Sequence, residues 1–98
     1  MNRLIKGLLH SVAAFSDQPY KVGAIYVQGW RVSYGYNVSA AYGCHAEDIT
    51  IRRFEILYGR PAIGGTMYCT YSACSHCAKT LKQKDMANVY ASKYTGKL

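Results

Sequence analysis

A chain of 98 residues, half of them hydrophobic and ten of them tyrosine, has room for one small domain and the composition of a folded one. Its 12 Lys and Arg against 5 acids give a formal net charge of +7, which favours anionic partners such as nucleotides, nucleic acid or phosphates without choosing among them. No apolar run is long enough to span a membrane, and the stretch behind Arg3 and Lys6 is broken by His10 and Ser11 with no small-residue cleavage site after it, so a cytoplasmic protein with reduced thiols is expected.

Leu4, Ile5, Leu8, Leu9, Val12 and Ala13 recur at helical spacing, with Arg3, Lys6, His10 and Ser11 on the other side. This predicts an amphipathic helix packed on a core and ending before Pro19. Val22 to Val27 is a short β-rich run, Gln28-Gly29 marks a turn, and Arg31 to Tyr36 reads as a second strand, so the two form a hairpin. Ser39 to Gly43 reads as a loop. His45 to Tyr58 carries good helix formers and meets a C-capping glycine at Gly59. Pro61 and Gly64-Gly65 punctuate the next connection. Thr66 to Tyr71 predicts a third strand, Cys74 to about Lys84 a third helix, and Asn88 to Ser92 a short fourth strand, followed by a polar tail. Strand–helix–strand order in this part implies a parallel pair. The fold class is therefore α/β, one domain over residues 1–98 with a small mixed sheet of about four strands flanked by helices.

Four cysteines allow two disulfides or a cytosolic metal or thiol site. The spacing of Cys74 and Cys77 suits chelation, and His45-Ala46-Glu47 opens another expected helix. One imidazole and two thiolates satisfy a catalytic zinc, which keeps three protein ligands and one open position. Helix N-termini favour the thiolate form of cysteine. Zinc can lower the pKa of water from about 15.7 to roughly 7. Glu47, two residues from His45, can face the same cavity and move protons without binding the metal.

These motifs, with their surroundings, resemble the zinc-dependent cytidine and deoxycytidylate deaminase family, whose signature is H-x-E…P-C-x-x-C. Val22-Gly23-Ala24-Ile25-Tyr26-Val27 is similar to the family's first strand, Gly35-Tyr36-Asn37 to the turn after its second strand, and Thr66-Met67-Tyr68-Cys69-Thr70 to the strand that leads into the cysteine motif. Val89-Tyr90-Ala91-Ser92-Lys93-Tyr94 resembles the segment after the third helix in the deoxycytidylate branch. The resemblance covers about residues 4–95, most like a short, phage-type dCMP deaminase. It implies a three-layer α/β/α deaminase-like fold with a truncated sheet. His45, Cys74 and Cys77 would hold Zn2+. Glu47 would protonate ring N3 while water's oxygen attacks C4, and would then protonate the leaving amino group. The same resemblance gives Asn37 a contact with the nucleotide's sugar or base, the Ala46 N–H a contact with the base carbonyl, and Tyr94 a place near the base. Ala73 stands where the family usually has proline before the first cysteine, and Val38-Ser39-Ala40-Ala41 replaces the Gly/Pro-containing sequence of nucleotide-regulated members. The fifth strand and final helix of many members are expected to be missing or replaced.

Plainer readings stand beside these. Cys44 with His45, Cys74 and Cys77 could form a closed Cys₃His structural site, although adjacent residues rarely both reach one tetrahedral metal and Glu47 would then have no task. Cys69, within a strand, reads as a small core residue. His10 and His76 read as solvent-facing, and Asn37 as a turn residue. The tyrosines read as core, interface or sheet residues, or as a stacking platform for bases. Arg52 and Arg53 read as facing solvent or a neighbouring subunit. The expected reaction is dCMP and water to dUMP and ammonia. The alternatives are a deaminase of a base in RNA or single-stranded DNA, including tRNA adenosine, and a non-catalytic zinc module. A homo-oligomer is expected because a core this small with a missing sheet edge invites partners.

Overall fold

Leu9 and Ala13, one turn apart, are the residues that the first helix buries, while Leu4 and Leu8 on its flank stay exposed. The computed structural model describes residues 3–18, 21–38, 46–71, 82–86 and 88–93. Their order is α1 (Arg3–Ala13), β1 (Gly23–Gln28), β2 (Arg31–Tyr36), α2 (Ala46–Tyr58), β3 (Thr66–Tyr71) and β4 (Asn88–Lys93). The bounds match the expected ones within a residue. The loop at Ser39–Gly43 lies outside the described residues, as does the third helix except for helical Lys82 and Gln83 and the Lys84 turn that follows.

The strands form one sheet in the order β2-β1-β3-β4. β1 is antiparallel to both neighbours, and β3 and β4 form the expected parallel pair. Gly29 takes a positive φ of 63° in the β1–β2 turn, a conformation that glycine adopts without steric cost. β1 reads as a continuous apolar run because both of its faces are covered, and Gly23 to Tyr26 are all buried. A Cβ on Gly23 would stand 2.7 Å from the Leu9 carbonyl oxygen and 2.8 Å from the Ala13 nitrogen, so α1 packs directly on that backbone.

Directly paired residues share a face and neighbours alternate. The pairing of Ala24 with Gly35 and Cys69, and of Tyr26 with Met67, therefore turns these residues to the face opposite α1. There α2 lies. Ala24, Tyr26, Met67 and Cys69 form the main core with Ala46, Ile51, Phe54 and Ala62. Tyr26 and Phe54 meet edge to face at 4.8 Å, the geometry that aromatic quadrupoles favour. The Tyr26 hydroxyl accepts the Gly65 N–H at 3.1 Å, which satisfies a buried donor. One helix on each face gives the expected three layers. Among the described residues no helix is long and apolar enough to cross a membrane.

α2 ends at Gly59, whose φ is 60° and whose N–H donates to the Glu55 carbonyl at 3.0 Å. Glu55 fixes the connection that follows. Its Oε2 accepts the Ala62 N–H at 3.0 Å and pairs with the Lys84 ammonium at 3.0 Å. The Ala62 N–H above all, then Lys84, hold its carboxyl below the ordinary value against the opposing effect of burial. A lowered folded-state pKa means stability that is present above the unfolded value and lost as pH falls through the folded one. Both partners are about a third exposed, so screening keeps the effect small. Glu55→Gln should lower stability at pH 7 by roughly 0.2–1 kcal/mol in urea unfolding, and the two proteins should converge at acid pH.

Candidate active site

Gly35 decides where α2 begins. A Cβ there would stand 2.6 Å from Thr50 Oγ1, 2.9 Å from the Thr50 nitrogen and 3.0 Å from the Ala46 carbonyl oxygen. The first turn of α2 thus rests on bare strand backbone. The Ser33 hydroxyl donates to the Thr50 carbonyl at 2.9 Å, and the Thr50 hydroxyl donates to the Ala46 carbonyl at 2.7 Å. The Ser33 bond pins the helix to β2, and the Thr50 bond stays within the helix.

Ala46 is 1% exposed and Glu47 5% exposed. A carboxylate is seldom buried this far without partners, and Glu47 has an interaction partner. Its place in the first helical turn, together with Asp48, suits an anion because unpaired helix N–H groups gather there. Below it lies Cys69. Burial, and then the negative charge of Glu47, push the Cys69 thiol well above its usual value. Cys69 therefore stays a neutral core thiol, as its strand position suggested.

Asn37 follows β2 at the same end of the sheet. Its N–H donates to the Val22 carbonyl at 3.1 Å, its Oδ1 accepts the Val22 N–H at 2.8 Å, and its carbonyl accepts the Ser16 hydroxyl at 2.7 Å. Ser16 is buried just past α1 and also accepts the Gln18 N–H at 3.2 Å. Asn37 is thus a fastening point between the end of α1, β1 and β2. Sequence reasoning missed Ser16. Its signal is a hydroxyl residue just beyond the last helical turn, where side-chain oxygens satisfy loose backbone groups. It also missed Thr70, which is buried and accepts the Gly23 N–H at 3.0 Å.

The register sets Cys69 beside Ala24 and Ala24 beside Gly35, so a row of three strands lies under the start of α2. β3 finishes at Tyr71, at this end of the sheet. In the sequence Cys74 comes three residues after Tyr71, and His45 comes just before Ala46. His45, Cys74, Cys77 and Tyr94 lie outside the described residues, as do Cys44, Ala73 and His76. Among the described residues no group of three or more His, Cys, Asp or Glu could hold a metal.

The family model for the cytidine and deoxycytidylate deaminase zinc-binding region matches residues 3–93. The chain belongs to this family. Deaminases of this family are hydrolytic enzymes, and zinc binding is a family property. The fold matches solved deaminase structures. The apo dCMP deaminase of cyanophage S-TIM5 is 24% identical with a TM-score of 0.71, covering 97% of this chain and 87% of that chain. The same enzyme in complex with dCMP and dUMP is 22% identical with a TM-score of 0.65, covering 92% and 82%. A mutant cytidine deaminase from Mycobacterium tuberculosis is 21% identical with a TM-score of 0.69, covering 91% and 83%. Comparison with curated protein sequences gives no match.

The deaminase fold thus places a buried acid at a helix start that depends on one glycine. Gly35→Ala should destabilise the protein by about 1–3 kcal/mol through overpacking and should lower deaminase turnover by displacing Glu47. Gly7→Ala, an exposed helical position where nothing lies within 4 Å, should instead gain about 0.5–1 kcal/mol. Urea unfolding of the two variants checks both signs.

Proposed function

We propose that this deaminase converts dCMP and water to dUMP and ammonia, acting as one zinc-dependent domain over residues 1–98. The observation that carries the reading is Glu47, a buried carboxylate in the first turn of α2, at the sheet end where β3 runs out toward the cysteine motif. The S-TIM5 enzyme whose structure holds dCMP and dUMP supports a nucleotide substrate.

His45, Cys74 and Cys77 would hold the zinc ion, and their imidazole and thiolates fit its preference for N and S ligands. Bound there, zinc supplies Lewis acidity that makes water a competent nucleophile at neutral pH. Glu47 takes the proton that the attacking water gives up and passes it to ring N3 as C4 becomes tetrahedral. It then takes the remaining proton from the new C4 hydroxyl and gives it to the amino group, which departs as ammonia as the C4 carbonyl forms. Its burial keeps that transfer out of competition with bulk water. The Ala46 N–H, at the open end of α2, would bind the base carbonyl. Asn37 would bind the sugar or base, and the bonds that fasten it to Val22 and Ser16 would hold it in place. Tyr94 would pack near the base.

The proposal includes a homo-oligomer in the cytoplasm. The exposed Leu4 and Leu8 on α1 support an oligomer. A second reading, deamination of a base within a single strand, is favoured by the exposed aromatic and basic edge of β2.

Ammonia release by the zinc-loaded protein from dCMP, deoxycytidine, dCTP and a short cytosine-containing strand separates these readings. Turnover of dCMP is expected, and Glu47→Gln should lower it about 10²–10⁴-fold while one zinc per chain remains by metal analysis. Equal turnover by wild type and variant would reject Glu47 as the proton carrier. Turnover of the strand alone would move the substrate to polynucleotides.

A further inference from the structure

β2 is an edge strand. Its outward side carries Trp30 in the hairpin turn, 75% exposed, then Val32, then Tyr34, 49% exposed, then Tyr36. Two arginines attend these rings. The Arg31 guanidinium lies 4.4 Å from the Trp30 ring centre. Arg53 reaches over from α2 to within 5.1 Å of Tyr34 and 5.7 Å of Tyr36. Phe15, 72% exposed, continues the row at 6.0 Å from Tyr36. Among the described residues neither arginine has an ion pair. The row ends beside Asn37, at the sheet end that holds the candidate active site.

Such an edge ordinarily invites another strand. Here half of the backbone groups that a strand would need are already taken. In a two-residue hairpin, with Gln28 paired to Arg31, the outward N–H and C=O groups belong to Val32, Tyr34 and Tyr36. The Tyr58 hydroxyl accepts the Val32 N–H at 3.1 Å and donates to the Val32 carbonyl at 3.0 Å. Arg53 donates to the Tyr34 carbonyl at 3.5 Å. A second copy on this edge would also set unpaired arginines against unpaired arginines. A polyanion meets both features with complementary charge, and exposed rings offer stacking faces that any base can use.

We propose that the outer edge of β2 is a docking track for single-stranded nucleic acid, with Trp30, Tyr34 and Tyr36 stacking on bases and Arg31 and Arg53 meeting phosphates. A guanidinium has five N–H donors, so Arg53 keeps donors for phosphate after bonding Tyr34. A duplex cannot offer its base faces in this way. The track is independent of which mononucleotide the active site accepts.

The chain has a single tryptophan, so its fluorescence reports on Trp30 alone. The test titrates the zinc-loaded protein with oligothymidylate of roughly 15 nucleotides; thymine has no exocyclic amine to lose, so binding is read apart from turnover. Saturable quenching is expected, with affinity falling steeply between about 50 and 200 mM salt and with a duplex of equal length binding more weakly. By anisotropy of a labelled strand, Trp30→Ala and Tyr34→Ala should each weaken binding about tenfold. Arg53→Ala should reduce the salt slope by about one. Unchanged urea midpoints for Trp30→Ala and Tyr34→Ala separate lost contacts from lost fold. Absence of quenching, salt-independent affinity, or variants that bind like wild type would overturn the proposal. So would a dimer by light scattering that Ile56→Asp and Leu57→Asp dissociate, since these residues share a groove with Val32 and Tyr34 and a second copy would then cover the edge.

Discussion

Where Gly35 passes beneath α2, the Thr50 nitrogen and the Ala46 carbonyl oxygen lie within 3.0 Å of where a Cβ would be. The helix therefore sits on peptide backbone at Gly35, with the Thr50 and Ser33 hydroxyls fitted around the contact. Gly23 does the same for α1 on the other face. Between them β1 is buried on both sides, so a sheet of four short strands still yields a core containing Tyr26, Phe54 and Met67. In a domain this small, each residue that brings a helix closer removes a larger share of apolar surface from water. Substituting either glycine would lift a whole layer, and lifting α2 moves Glu47.

The alternation of β-rich runs with turn residues in the sequence made β1 to β4 legible almost to the residue, because Gln28-Gly29 and Gly64-Gly65 punctuate what is otherwise continuous apolar sequence. α2 was legible from Gly59 at its end more than from its apolar pattern, since Ile56 and Leu57 stay exposed while Glu47 and Thr50 are buried. Gly23, Gly35 and Asn37 were noticed as parts of family motifs, but their physical task was hidden. A close approach of helix to strand is a property of two distant segments and leaves no local periodicity. The hydrogen bond from Ser16 to Asn37, across 21 positions, is of the same kind. The acid at the candidate site could be named from its spacing to His45, whereas its depth of burial follows from the helix resting on Gly35.

Tyr58 and Arg53 show how one helix serves the core and the edge together. Tyr58 packs its ring on Phe54 at 4.8 Å and places its hydroxyl on both outward groups of Val32. Phe at this position would keep the ring contact and uncover the edge. Arg53, five residues earlier on α2, covers Tyr34 and Tyr36. Around Val32 the edge is thereby closed to the strand pairing that exposed apolar residues commonly promote, while the side chains of β2 remain open to contact.

The setting of Cys69 follows from its place inside β3. Cys69 lies inside the strand, paired with Ala24 and Ala91, with little water to stabilise a thiolate and with the charge of Glu47 near it. Both effects act in one direction, toward the neutral thiol. A neutral thiol is a poor metal ligand and a poor nucleophile, so Cys69 packs and does no chemistry. Cys74 and Cys77 come after the strand has ended, in a segment that the sequence marks as a helix start, where N–H groups favour the anion. Burial thus holds Cys69 neutral, and the buried acid reinforces this by raising the cost of a thiolate beneath it.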